Sequence, residues 1–287
     1  MKSNIKKLLF LIITIVLLFI GSIAYFFISN DAPVLHGKII FHKKYKDNLR
    51  LDIYLPTKSV YKKSPVVIFI HGGAWITGRK EGINLNRLNI AINKLRANGY
   101  TIISPEYTLA RKSKAPFPNC IMDAFDAVKW IEENADEYNI DIDNIGLMGE
   151  SAGAHIAMMV AFSKGNGFLG KNNHKFKFNY VVDIYGPTEL KSLYYSESID
   201  TILTTLNKLP ERLSNQLDIS KYIFGFDPKT DSIKSNEYML AYSPINYLDK
   251  DAPPTLIIHG KNDRIVPINQ SNILKSKLNS LLIENEY

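Results

Sequence analysis

The chain has 287 residues, of which 46% are hydrophobic and 22% are charged. These are globular proportions, so they exclude a disordered, collagen-like or low-complexity chain. The 35 Lys and Arg residues exceed the 28 Asp and Glu residues only slightly and are scattered, so no nucleic-acid partner is predicted. The single cysteine, Cys120, excludes an intramolecular disulfide framework and argues against a structural zinc site.

The N-terminal region contains an apolar run at residues 8–28, which carries no charge and follows Lys2, Lys6 and Lys7. As a helix this run would span roughly 30 Å, the thickness of a bilayer core. The lysines favour a cytoplasmic N-terminus, so residues 1–29 are predicted to be a membrane anchor with the catalytic domain outside the cytoplasm. The alternative is a signal peptide cleaved near residues 22–24, which would release a secreted protein.

Residues 30–287 show the pattern of one α/β domain. Alternating apolar and polar residues predict an antiparallel pair of strands at 35–41 and 49–55. Nearly continuous apolar runs predict buried strands at 66–70, 100–104, 145–148, 181–185 and 255–258. Helical spacing is found at 84–98, 119–138, 152–163 and 268–281. The alternation predicts a mostly parallel central sheet with helices on both faces.

Residues 190–248 interrupt this alternation and are predicted to form an insertion, or cap, over one end of the sheet. The segment is rich in Tyr and Phe. These aromatic residues either line an apolar or sugar-stacking cleft or fill the core: Tyr194, Tyr195, Tyr222, Phe224, Phe226 and Tyr238.

The strongest chemical signal is the G-x-S-x-G motif at residues 149–153, which lies between a predicted strand and a helix of small residues. A serine in such a sharp strand-to-helix turn is presented to substrate. Its hydroxyl is a weak nucleophile alone and requires a base. Ser151 is therefore the predicted nucleophile, and the structural alternative is a helix N-cap.

A second signal is the HGGAW segment at residues 71–75, directly after the predicted strand 66–70. Acyl transfer develops negative charge on the carbonyl oxygen, and backbone N–H groups stabilise that charge. The predicted donors are the N–H groups of Gly72, Gly73 and Ala152, and Ala74 is a possible replacement for one of them. The structural alternative is a glycine-rich turn.

A third signal is Asp263, which ends the HGKND segment after the predicted strand 255–258. An acid in this position would orient a catalytic histidine and balance its charge. The chain order of serine before aspartate fits the α/β-hydrolase pattern. Asp263 is the predicted acid, and the alternative is a turn residue that caps the following helix.

These motifs resemble the α/β-hydrolase fold, in the esterase and lipase group related to hormone-sensitive lipase and bacterial feruloyl and acetyl esterases. The resemblance covers residues 49–270 and rests on LDIYLP (51–56), HGGAW (71–75), APFP (115–118), residues 123–130, NIG (144–146), GESAGAH (149–155), YSPI (242–245) and HGKND (259–263). It implies ester hydrolysis through an acyl-enzyme without a cofactor or metal. HGGA replaces the more usual HGGG, and the arginine that usually follows the family's tyrosine is missing after Tyr107.

The catalytic histidine of the family pattern is not found. None of the six histidines follows Asp263, whereas the pattern places the base beyond the acid. His71, His155 and His259 lie in motifs with other roles. The resemblance therefore implies a C-terminally truncated member, with its last strand and helix incomplete and its activity impaired.

Three functions are consistent with the sequence. The first is a serine ester hydrolase acting on small or medium ester substrates, such as acetyl or feruloyl groups on polysaccharide. The second is a non-catalytic exported binding protein that keeps the pocket. The third is an exported peptidase or amidase, since the motifs do not reveal the leaving group.

Overall fold

The computed structural model describes residues 35–163 and 177–287, apart from 85, 113, 212–213 and 215–217, and six positions between residues 13 and 21. Most of the predicted anchor at residues 8–28 lies outside them. In the described part of the chain, no helix is both long and apolar enough to cross a bilayer.

The described residues form an eight-stranded sheet in the order β1-β2-β4-β3-β5-β6-β7-β8. Its strands are β1 Ile39–Lys46, β2 Leu49–Tyr54, β3 Ser64–Ile70, β4 Thr101–Pro105, β5 Ile140–Glu150, β6 Phe178–Ile184, β7 Thr255–Ile258 and β8 Asn285–Glu286. β2 pairs antiparallel with β1 and β4, and the remaining pairs are parallel. The predicted mostly parallel sheet and its α/β-hydrolase class are confirmed.

Helices connect the parallel strands, as expected for crossovers between parallel neighbours. They are α1 Asn86–Ala97, α2 Asn119–Asn134, α3 Ala152–Ser163, α4 Leu190–Tyr194, α5 Glu197–Asn207, α6 Ile219–Phe224, α7 Ser232–Ala241 and α8 Asn269–Ser280. Short 3-10 helices cover Lys80–Asn84 and Pro244–Tyr247. α4 to α7 all fall within the predicted insertion at residues 190–248.

The core follows from the apolar runs of the central strands. Every residue of β3 and β4 is buried, because helices cover both faces of the sheet there. All twelve residues of α3 are buried as well. This helix thus lies at the centre of the domain, and its packing holds the turn that precedes it.

Several predicted boundaries were wrong. The strand predicted at 145–148 covers Ile140–Glu150, because its first residue pairs with Ser64 at the start of β3. The helix predicted at 119–138 ends at Asn134, and the N–H of Ile140 bonds the carbonyl of Ala135 across a turn in which Asn139 has a φ of 55°. The strand predicted at 35–41 instead covers 39–46, because bulges in its pairing with β2 let it continue. The N–H of His42, at one bulge, donates to buried Asp52.

Candidate active site

Ser151 occupies a sharp turn between β5 and α3, as the motif predicts. Its φ is 52°, a left-handed value that is uncommon for serine. Its N–H donates to the carbonyl of Ile184 over 2.8 Å. A Cβ on Gly153 would lie 2.0 Å from the carbonyl oxygen of Ile70, so only glycine allows α3 to approach β3 this closely. The turn therefore presents Ser151 at the carboxyl edge of the sheet, where ligands bind in such folds.

The glycine-rich loop after β3 lies beside this serine. A Cβ on Gly72 would lie 3.4 Å from Cβ of Ser151 and 3.0 Å from the carbonyl oxygen of Glu150. Among the described residues, the N–H groups of Gly72, Gly73 and Ala152 meet no hydrogen-bond acceptor. These are the donors that the sequence predicts for an oxyanion, and they stand next to the predicted nucleophile.

His71, at the start of this loop, is held by its own surroundings. Its ring stacks on Tyr107 at 4.3 Å between centroids, and its Nδ1 lies 2.8 Å from the carbonyl oxygen of Gly72. The Tyr107 hydroxyl donates to the carbonyl of His71. Burial lowers the pKa of His71. His71 therefore fixes the loop.

His155 lies one turn into α3 and is fully buried. Its Nε2–H donates to the carbonyl of Tyr242 over 2.7 Å, and its ring packs against Trp75 and Phe117. Burial lowers its pKa to about 4, so the ring is neutral at physiological pH. It joins α3 to the cap.

Asp263 organises the loop that follows β7. Its Oδ1 accepts the N–H groups of Ile265 (2.8 Å) and Val266 (3.0 Å). His259 is engaged nearby, with Nδ1 2.7 Å from the hydroxyl oxygen of Ser271 and Nε2 donating to the carbonyl of Val266. Its Nε2 is 3.8 Å from Oδ2 of Asp263, outside hydrogen-bond reach. This second carboxylate oxygen therefore accepts no hydrogen bond among the described residues, although it lies within ion-pair distance of His259.

A cavity of about 150 Å³ joins these elements. Ser151 and Ala74 line it from the sheet side, and Ile265 and Val266 line it from the Asp263 loop. The cap contributes the larger share of the wall, with Leu190, Leu193, Tyr194, Ile199, Ile202, Leu203, Ile219, Ser220, Ile223, Phe224 and Tyr238; Trp75 and Pro187 complete it. The structure therefore brings the predicted nucleophile, oxyanion loop and acid loop to one cavity.

The surroundings of the Ser151 hydroxyl are described only in part, since His174 lies outside the described residues. In the described part of the chain, no side chain hydrogen-bonds to the Ser151 hydroxyl, and His71, His155 and His259 are engaged as above. No cluster of three or more His, Cys, Asp or Glu side chains able to hold a metal is found within those residues either.

Sequence reasoning missed two contributors to the site. The Tyr185 hydroxyl donates to Oε2 of Glu150, next to the nucleophile, and Tyr185 has a φ of 47°. α5 supplies Ile199, Ile202 and Leu203 to the cavity. The i, i+3, i+4 spacing of these three residues in the sequence predicts one apolar face of a helix. The spacing does not show what that face contacts. Of the six cap aromatics, Tyr194, Phe224 and Tyr238 line the cavity, whereas Tyr195 is 61% exposed.

Curated relatives of this sequence are named as esterases. The chain is 26% identical over 239 residues to the probable carboxylic ester hydrolase LipM of Mycobacterium tuberculosis, covering 82% of this chain and 50% of that protein. It is 28% identical over 218 residues to an arylesterase of Saccharolobus solfataricus, covering 69% and 68%. A probable isoprenylcysteine alpha-carbonyl methylesterase of Oryza sativa is 36% identical over 159 residues, covering 53% and 34%. The chain spans about half the length of its Mycobacterium relatives.

Solved structures share the fold. A truncated form of a carbohydrate esterase from gut microbiota superposes with a TM-score of 0.66 at 25% identity, covering 88% of this chain and 87% of that one. Esterase B of Lactobacillus rhamnosis superposes with a TM-score of 0.63 at 21% identity, covering 96% and 82%, which shows the fold alone. These likenesses confirm the predicted resemblance to α/β-hydrolase esterases. Since the model of the BD-FAE family matches residues 51–278, this chain belongs to the BD-FAE family.

Proposed function

We propose that this protein is a serine carboxylic ester hydrolase that acts through an acyl-enzyme on Ser151. The observation that carries the proposal is the position of Ser151, held at a φ of 52° beside the unengaged N–H groups of Gly72 and Gly73 at the mouth of a cavity. The esterase names of the curated relatives support the same reaction class.

In this mechanism the Ser151 oxygen attacks the ester carbonyl carbon and loses its proton to a base. The carbonyl oxygen becomes an oxyanion, which the N–H groups of Gly72, Gly73 and Ala152 stabilise. The C–O bond to the alcohol then breaks, the alcohol leaves with the proton, and Ser151 keeps the acyl group. Water attacks this acyl-enzyme with help from the same base and releases the acid.

We further propose that these 287 residues do not supply the base, so that turnover by this chain is low. Among the described histidines, His71, His155 and His259 are committed to the carbonyls of Gly72, Tyr242 and Val266. A serine hydrolase without its base keeps only about 10³–10⁴-fold acceleration over water, from the oxyanion hole and binding. Asp263 retains a carboxylate oxygen that an imidazole could bind.

Chemical rescue tests both parts of the proposal. The full chain and its Ser151→Ala variant are assayed with p-nitrophenyl acetate while imidazole is added to the buffer. The difference between the two rates removes the hydrolysis that imidazole catalyses by itself in solution. We expect this difference to be small without imidazole and to rise at least tenfold with it, saturating as imidazole occupies the site.

The results of this assay distinguish the hydrolase proposal from the proposal that the base is missing. A large Ser151-dependent rate without imidazole would show that one of the chain's own histidines acts as the base. Equal rates from the two proteins at every imidazole concentration, with both folded by circular dichroism, would contradict the hydrolase proposal. A matched p-nitroanilide that is cleaved as fast as the ester would favour a peptidase or amidase.

A non-catalytic binding role is the second candidate, favoured by the engagement of all three nearby histidines. In that case the cavity binds an ester or acid without turning it over. Deleting the gene and complementing it with Ser151→Ala distinguishes the roles, since a binding protein keeps its biological activity with alanine and a hydrolase loses it.

We also propose a natural substrate and a cellular location for this protein. The likeness to a carbohydrate esterase supports acylated polysaccharide as the substrate. Anchoring of residues 8–28 in a membrane, with the domain outside the cytoplasm, rests on their apolar sequence alone. Cell fractionation followed by protease treatment of intact cells tests it: the domain should be found with the membrane and be digested from outside.

A further inference from the structure

The helix α5 carries an apolar stripe that lies at the edge of the core and is only partly buried. Ile199, Ile202 and Leu203 lie on one face of it, at the i, i+3, i+4 spacing of an amphipathic helix. No residue of α5 is buried, although such a stripe normally covers a core. All three side chains line the cavity beside Ser151. The stripe therefore borders the cavity, and Ile199 also packs against the edge of the core.

The remaining wall of this cavity is also apolar. Leu193, Ile223 and Phe224 come from the neighbouring cap helices, and none of the described residues that line the space is charged. The hydroxyl of Tyr238 is turned to the carbonyl of Ile223, to which it donates over 2.6 Å. Nε1 of Trp75 and the hydroxyl of Tyr194 also belong to lining residues and are buried without a hydrogen-bond partner in the described part of the chain. Most of the wall is nevertheless apolar, so a ligand group here gains chiefly from burial of apolar surface, and the cavity favours hydrocarbon.

The volume sets the size of that hydrocarbon. The cavity measures about 150 Å³. An apolar protein cavity of this volume, lined by Leu, Ile and Phe, accommodates benzene, which has six carbons. An acetyl group would leave most of the space empty.

We propose that this cavity binds the acyl group of the ester substrate and selects saturated chains of about six carbons. The inference rests on the proposed function and refines its substrate class. The acyl group, rather than the alcohol, is assigned to this space because it stays on Ser151 after the alcohol has left. A cavity lined by α5 and α6 suits the acyl group, because this group remains bound to Ser151. The alcohol, including a sugar, lies outside.

Binding measurements test this without requiring turnover. Methyl esters from acetate to decanoate are titrated into the full chain carrying Ser151→Ala and Trp130→Phe, so that Trp75, in the cavity wall, is the only tryptophan. Displacement of water by hydrocarbon should shift its emission to the blue. Each buried methylene contributes about 0.8 kcal/mol, which is about fourfold in affinity. We expect that increase up to hexanoate and a plateau or decline beyond it.

Two variants of α5 and a matched control connect the preference to the stripe. Leu203→Phe fills the cavity and should weaken hexanoate binding about tenfold while leaving acetate nearly unchanged. Ile202→Ala enlarges it and should move the optimum to about eight carbons. Thr204→Phe makes a similar change on the exposed side of the same helix and should alter neither. None of these positions is buried, so the helix should tolerate all three.

The proposal fails if affinity does not depend on chain length, or if Leu203→Phe and Thr204→Phe behave alike.

A p-nitrophenyl ester series in imidazole then identifies whether the acyl group or the alcohol of the ester occupies the cavity. Faster Ser151-dependent hydrolysis of hexanoate than acetate supports the acyl assignment. Equal rates, combined with tight binding of hexyl acetate, would place the alcohol in the cavity and overturn it. No turnover with any ester, but intact chain-length selection in binding, would reject the hydrolase proposal and keep the cavity's preference.

Discussion

Ala74 is a residue whose backbone conformation disfavours its own side chain. Its φ is 52°, in the left-handed region that costs an L-residue with a Cβ roughly 1 kcal/mol or more. The family pattern more often has glycine here. The methyl group of Ala74 lines the cavity beside Ser151, so the strained conformation also shapes the site. The strain is stored at the site itself.

Replacing this residue should therefore stabilise the fold. Ala74→Gly is expected to raise the free energy of unfolding by about 1 kcal/mol, because glycine adopts this φ without the steric cost. Urea denaturation monitored by circular dichroism measures the change. The control is Ala91→Gly on the exposed face of α1, where glycine should destabilise by about 1 kcal/mol. The same sign for both substitutions would contradict the strain argument.

At the scale of elements, the loop between β7 and α8 depends on one carboxylate oxygen. Oδ1 of Asp263 holds the N–H groups of Ile265 and Val266, and these two residues form part of the cavity wall. Loop geometry and charge are carried by the same side chain, so removing it would change both. A substitution that keeps the acceptor and removes the charge separates the two roles.

Asp263→Asn keeps an oxygen for both N–H groups, whereas Asp263→Ala removes it. We expect the alanine variant to lose about 1–2 kcal/mol of stability and the asparagine variant to lose much less. If the carboxylate balances the charge of a bound imidazolium, both variants should lose imidazole-rescued turnover by at least tenfold. Unfolding curves and rescue kinetics on the two variants check this. Full rescued activity in Asp263→Asn would show that Asp263 only shapes the loop.

The motifs were readable from sequence because each is local. The turn at Ser151 needs glycine where α3 meets β3, and the strand before it needs an unbroken apolar run, so neighbouring residues encode both. The bulged course of β1 and the end of α2 depend on contacts with other elements, such as that of His42 with Asp52. The cavity under α5 depends on how the cap is placed over the sheet, which spacing along one helix does not specify.

At the scale of the whole molecule, two buried groups, one on β6 and one on α3, couple folding to pH. Asp183 on β6 is fully buried, with Oδ1 accepting the N–H of Gly186, and burial raises its pKa to about 7. Burial lowers the pKa of His155 to about 4. Each group is therefore neutral in the folded protein between about pH 4 and 6.5, where its unfolded counterpart is charged.

The two groups act in opposite directions on stability in that range. Folded Asp183 retains a proton that the unfolded chain has lost, so its contribution to stability falls as pH rises from about 4 to 7. Folded His155 lacks a proton that the unfolded chain has gained, so its contribution falls as pH drops from about 6.5 to 4. In the native protein these two pH-dependent contributions to the free energy of unfolding largely cancel. Replacing one of the two groups at a time should therefore reveal the contribution of the other.

Relative to the native chain, Asp183→Asn should gain stability steadily from pH 4 to 7, by about 4 kcal/mol in total. His155→Gln, after the constant cost of its lost ring contacts, should gain relative stability from pH 6.5 down to 4, by about 3 kcal/mol. Urea unfolding at half-unit steps of pH measures both differences. Parallel pH profiles for the native chain and Asp183→Asn would mean that Asp183 is ionised in the folded protein. The N–H of Gly186, which donates to Oδ1 of Asp183, would then stabilise a buried charge.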